Sequence, residues 1–171
     1  MSRTSPWRLA AVLALPLKWP LLALPGIGRD EAVYVYWSRL GEPFYAPLLQ
    51  SALALARLLP VPELAAIRAL ALAVSVLNLY LADRLLREVG VPAARRSMAV
   101  LVVATLPWQV YVGGIVHPDG LFLASLLLFC LSMARDRLAA AAVIGGATAL
   151  CKPVGLALLP VVGWLLVVRS R

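Results

Sequence analysis

The sequence predicts an all-α protein, a polytopic membrane helix bundle of about six transmembrane helices, with two short interfacial helices in the first outer loop. Three observations predict it. Of the 171 residues 63% are hydrophobic and 14% charged, and the mean hydropathy is +0.90, whereas a soluble domain is nearer half apolar and a quarter charged. The apolar residues, Leu and Ala above all, gather in runs whose lengths suit helices rather than barrel strands. The basic residues sit in short clusters between those runs, the layout of membrane-protein loops. A net charge of +8 would point to nucleic acid only if the basic residues formed a patch interleaved with polar ones. They do not, and no nucleic-acid partner is expected.

The apolar runs cover residues 7–25, 64–83, 97–116, 118–134, 137–151 and 153–168, in one membrane domain spanning 1–171. In the first, Arg3 and Arg8 precede "LAAVLALPL", the apolar stretch continues past Lys18 to Pro25, and no small-x-small cleavage site stands out. It therefore reads as a retained anchor rather than a signal peptide. Residues 26–63 form the first outer loop. Within it 31–40 and 48–59 read as two short helices, punctuated by Gly41, Pro43 and Pro47, and neither could cross a bilayer. Tyr34, Tyr36, Trp37, Phe44 and Tyr45 suit the lipid–water boundary, so the two helices are expected to lie on the outer leaflet.

The second span carries Arg68 and Asn78, which should face the bundle because polar groups toward lipid are costly. Asp83 and Arg87, four apart, read as a surface pair. The last two runs are only ~15 residues each, short of a comfortable crossing. They also contain Gly145, Gly146, Pro153, Gly155 and Pro160. Either the bilayer thins there, or the "CKP" turn sits below the outer surface in a protein-lined cavity. Cys130 and Cys151 fall at different depths and are expected to be free thiols.

Alternating spans place Arg3, Arg8, Arg84, Arg87, Arg95, Arg96, Arg135, Arg137, Arg169 and Arg171 on one side, and Asp30, Glu31, Glu42, Glu63 and Asp119 on the other. By the positive-inside rule the arginines are cytoplasmic. The expectation is an integral protein of the plasma (inner) membrane with both termini cytoplasmic and the active face outside.

At that outer face "GRDEAVYVYW" puts Asp30 and Glu31 where the first span meets water. A solvated helix end, neutralised by Arg29, is the plain explanation. Against it, "IVHPDG" brings Asp119 to the same face, and "ALCKPVG" brings a lone Lys152. Two carboxylates and a cation converging on one surface form a site for a phosphate-bearing ligand. His117 with Asp119 and Asp30 has the donor types of a zinc or manganese site. The plainer reading is a polar cap where Pro118 breaks the helix. No cofactor is firmly implied, and a divalent cation stays open.

Four stretches in order, "GRDEAVYVYWSRLGEPFYAPLL", "AAIRALALAVSVLNLYLADRLLRE", "PWQVYVGGIVHPDGLFLASLLLF" and "GATALCKPVGLALLP", resemble the N-terminal half of GT-C glycosyltransferases. The group is the one containing protein O-mannosyltransferases and the lipid A aminoarabinose transferase. The resemblance implies transfer of a sugar from a polyprenyl-phosphate donor to an acceptor hydroxyl outside the cytoplasm, with membrane lipid and the lipid-linked donor as partners. Asp30 matches the family's loop aspartate, the general base, and Glu31 stands beside it. Lys152, Arg29 and Arg39 become candidates for the donor phosphate, and His117 with Asp119 forms a second acidic motif. The family often has Lys before the proline of the second loop helix, where this chain has Ala46. Family members also continue into further spans and usually an outer soluble domain, so a C-terminal domain or partner chain is an expected complement. A non-catalytic membrane subunit, a small transporter or an inactive fragment are the competing readings. A transporter should show repeated halves and charges at mid-membrane, and neither is visible.

Overall fold

The computed structural model describes residues 5–23, 28–40 and 46–169; the side chains of Arg29, Asp30, Val162, Leu165, Leu166 and Arg169 are not among those described. Glu42, Phe44 and Tyr45, named above, also lie outside the described residues. Among the described residues the fold is all-helical: α1 (Pro6–Leu22), α2 (Arg29–Leu40), α3 (Pro47–Ala56), α4 (Glu63–Glu88), α5 (Ala93–Thr105), α6 (Pro107–Gly114), α7 (Pro118–Ala134), α8 (Leu138–Cys151) and α9 (Leu158–Arg169). A 3-10 turn at Pro153–Ala157 joins the last two.

Proline opens α1, α3, α6 and α7, because its fixed φ suits the first turn and its missing N–H is not needed there. The α2 helix starts differently. Glu31 Oε2 accepts from Gly28 N at 3.0 Å, the half of a capping box that the N3 carboxylate supplies, while Gly28 O takes the first helical bond, from Ala32 N at 2.8 Å.

The α4 helix is the axis of the bundle, touching α1, α3, α5, α6 and α7. Ala10, Ala14, Leu79, Val100 and Ala104 seat α1 and α5 on one side of it. Leu81, Ala124 and Leu131 seat α7 on another. The α7 and α8 helices form an antiparallel hairpin, closed at one end by the 135–137 turn. At its far end the 3-10 turn returns so closely onto α8 that a Cβ on Gly155 would lie 2.6 Å from the Thr148 carbonyl carbon. Backbone cannot give way as a side chain can, so glycine is required there.

Three expectations change. The 97–116 run is not one helix: α5 and α6 are bent by 62° at the break. Pro107 has no N–H to offer and its ring obstructs the turn behind it, and Leu106 N closes α5 onto the carbonyls of Val102 and Val103 at 3.1 and 3.3 Å. Asp83 does not pair with Arg87. It is 6% exposed and bonds Arg96 of α5 at 2.7 Å. The short loop helices do not simply lie on a surface, because Val35, Ala46, Leu49 and Leu53 pack against Ile67, Ala71 and Val116.

Among the described residues, by length and composition only α4, 26 residues long, could cross a membrane alone; α5 and α6 together give a second if they form one broken span. The α1 and α7 helices have 17 residues each and α8 has 14. Cys130 and Cys151 are free thiols.

Candidate functional site

The helix order separates two chemically different ends. One holds Arg84, Arg87, Arg95, Arg96, Arg135 and Arg137, with Arg135 bonded to Glu88 at 2.8 Å and Arg96 in an ion pair with Asp83. The other holds Glu31, Glu63, His117, Asp119 and Lys152.

At this second end "HPDG" starts α7 and "CKP" ends α8, side by side in the antiparallel hairpin. His117 is the N-cap, and its Nδ1 accepts from Asp119 N at 3.3 Å. Asp119 lies in the first turn, where the helix dipole favours an anion, and Lys152 at the end of α8, where it favours a cation. Lys152 Nζ donates to Asp119 Oδ1 at 2.6 Å, with side chains 34% and 16% exposed. Asp119 Oδ2 stands 3.5 Å from His117 Nδ1. Accepting the backbone N–H uses Nδ1 as an acceptor and leaves Nε2 as the ring's other polar atom. Protonation would convert the Oδ2 contact into a second charge pair.

Around His117 stands an aromatic wall. Tyr34, Trp108 and Tyr111 meet its ring at centroid distances of 5.8, 5.6 and 6.2 Å, and Trp37 meets Tyr34 edge-on at 6.1 Å. Trp108 and Tyr111 are stacked, 5.6 Å apart and 27° from parallel. Trp108 and Tyr111 stand three residues apart on α6, and the extended link through Ile115 to His117 leaves the His117 ring beside both.

Glu31 takes another position. Its side chain is 0% exposed and bonds Arg68 Nη1 at 2.8 Å, with the Arg68 side chain 6% exposed. Glu31 Oε1 also accepts from Val116 N at 2.8 Å, and Arg68 Nη1 donates to Gly114 O at 2.6 Å. Arg68 faces inward, as its position in an apolar run predicts. This joint fixes the first turn of α2, whose backbone carries Asp30, beside the loop that leads into His117.

Arg39 is drawn to a separate cluster. It bonds Glu63, as does Arg57 at 2.8 Å, and Arg57 Nη2 also donates to Val35 O at 2.9 Å. The hydrogen bond from Arg39, then that from Arg57, hold the Glu63 carboxyl below its ordinary range. Glu63 precedes the 64–83 apolar stretch. Beside this cluster, an apolar groove of about 460 Å³ runs between α3 and α4, lined by Ala52, Leu55, Leu59, Ala66 and Leu70 among others.

Of the residues expected at the site, then, Asp119, Lys152 and His117 come together; Glu31 is nearby but sealed, and Arg39 is paired elsewhere. The side chains of Asp30 and Arg29 are outside the described ones. His117 and Asp119 offer two metal donors, and among the described residues no group of three or more His, Cys, Asp or Glu is placed to hold a metal ion. The sequence reading missed Trp108 and Tyr111, whose only signal was their spacing on one helix face after Pro107. It also missed Lys18, buried in α1 with its Nζ on Ser75 Oγ, which Gln109 Nε2 also reaches at 3.0 Å.

The chain matches no protein-family model, no curated protein and no solved structure. The likeness to GT-C glycosyltransferases therefore rests on the motifs quoted from the sequence.

Proposed function

We propose that this chain is a six-span integral membrane protein forming the N-terminal core of a GT-C glycosyltransferase, which moves a sugar from a polyprenyl-phosphate donor to an acceptor hydroxyl at the outer face. Support for the membrane comes from the apolar side chains left on the outside: Leu13 is 51% exposed, Val143 73%, Trp164 64% and Met98 71%. In water such a surface would aggregate, whereas lipid covers it at no cost. The arginine-rich end is then cytoplasmic. The α8 helix, at ~1.5 Å per residue, is shorter than the ~30 Å hydrocarbon core, so either the bilayer thins beside it or its "CKP" end sits below the outer surface.

The observation that carries the chemistry is the pairing of Lys152 with Asp119 beside His117, within a wall that α2 completes through Tyr34. In this reading Asp30, held in the first turn of α2, takes the proton of the acceptor hydroxyl as it attacks the sugar. The sugar–phosphate bond breaks, the polyprenyl phosphate leaves, and Lys152 balances the charge on the leaving oxygen. Asp119 keeps Lys152 protonated and placed between turnovers. The groove between α3 and α4 suits the prenyl chain.

The test is titration of polyprenyl phosphate into the purified chain in nanodiscs, wild type against Lys152→Met. Loss of a charge-assisted hydrogen bond should weaken binding ten- to a hundred-fold, about 1.5–3 kcal/mol. The Lys152–Asp119 closure also favours a second reading, a non-catalytic membrane subunit in which the pair merely pins the hairpin. Equal affinities for the two proteins would select that reading.

A further inference from the structure

We propose that Trp108 and Tyr111 form a stacking platform for a pyranose ring, which holds the transferred sugar against the Asp119–His117 edge of the site. The inference rests on the sugar-transfer reading and gives it a sugar-binding surface of its own. Trp108 is 51% exposed, yet it is not a lone ring set toward lipid. Tyr111 stacks on it at 27°, and His117 stands perpendicular to it at 81°. His117 is in turn 3.5 Å from Asp119, whose other oxygen holds Lys152. The half-exposed Trp108 ring, backed by Tyr111, thus borders a short row of groups that accept and donate hydrogen bonds.

Pyranose chemistry matches that arrangement. One face of the ring carries C–H groups with partial positive charge, which complement the negative face of an aromatic ring. The rim carries hydroxyls that need fixed polar partners, and binding sites commonly combine an apolar wall with a few such groups. An aromatic belt residue, which only needs the lipid boundary, would have no use for a histidine and a carboxylate at its edge.

The experiment compares two ligands on each of three proteins in nanodiscs: polyprenyl phosphate, and the same lipid bearing a hexose. Intrinsic fluorescence and equilibrium binding report affinity, and circular dichroism checks that each variant is folded. In wild type the hexose should improve affinity about ten-fold and shift the tryptophan emission. Trp108→Leu should abolish that improvement while leaving affinity for the bare lipid unchanged, and Trp108→Tyr should retain part of it. A hexose improvement that survives Trp108→Leu overturns the platform. Should neither lipid bind, methyl hexoside replaces them. Quenching of wild type but not of Trp108→Leu would keep the platform and remove the polyprenyl-phosphate donor, and no quenching of either would remove both.

Discussion

Two carboxylate–cation pairs stand at the same end of this molecule and behave as opposites. Glu31–Arg68 and Asp119–Lys152 are nearly equal in length, 2.8 and 2.6 Å, but the side chains of the first pair are 0% and 6% exposed and those of the second 16% and 34%. Glu31 uses both oxygens, on Arg68, Val116 N and Gly28 N, and Arg68 also holds Gly114 O. Such a pair repays its desolvation only because further hydrogen bonds satisfy it, and it leaves no room for a ligand. Asp119 and Lys152 keep access to the mouth of the site and can exchange partners. Similar groups form a joint in one place and a usable site in the other.

Breaking the joint should produce the largest effect. Arg68→Met leaves Glu31 buried and unpaired, and stability in detergent should fall by about 3–5 kcal/mol. Glu31→Gln combined with Arg68→Met should recover a good part of that, and the double-mutant cycle measures the coupling. A cost below ~1 kcal/mol for Arg68→Met would show that the pair is open to water like a surface pair, and the contrast would collapse. Next comes the open pair. Asp119→Asn should cost no more than about 1 kcal/mol of stability, so any larger effect on donor binding is functional rather than structural. The smallest effect belongs to Glu63. Its lowered carboxyl contributes stability that is complete above the ordinary carboxylate value of ~4.3 and is lost as pH falls through the folded value. The stability difference between wild type and Glu63→Gln should therefore be within ~1 kcal/mol at neutral pH and vanish in acid, because the pair is partly exposed and screened. A difference that persists in acid would rule out the arginine pairing as its source.

How much of this was legible depended on whether the signal was local. Residues 118–134 and 137–151 were bounded by Pro118, by the charged turn at Arg135–Arg137 and by Lys152-Pro153, and the helices end within a residue of those marks. The break in 97–116 was missed because the apolar run continues through Pro107, and membrane helices often absorb a proline. Asp83 misled because four-residue spacing to Arg87 is visible in sequence, whereas Arg96 reaches it only once α5 folds back along α4. Asp30 and Glu31 were read as one motif. Adjacent helical residues point about 100° apart, and Glu31 is placed on Arg68. The meeting of Asp119 with Lys152 was legible, since both ends of a short helical hairpin were marked. The aromatic wall was not, because it depends on how the extended link at Ile115–His117 returns beside α6 and on Tyr34 arriving from α2.

Lys18 sets a condition on assembly. Its ammonium is 1% exposed and rests on Ser75 Oγ, 57 residues further along the chain. The α1 helix thus carries a charge whose seat is supplied by α4, and α6 closes over it. A Cβ on Gly113 would lie 2.7 Å from Lys18 Nζ. That seat is complete only when three separate helices stand together, so α1 cannot bury its charge on its own.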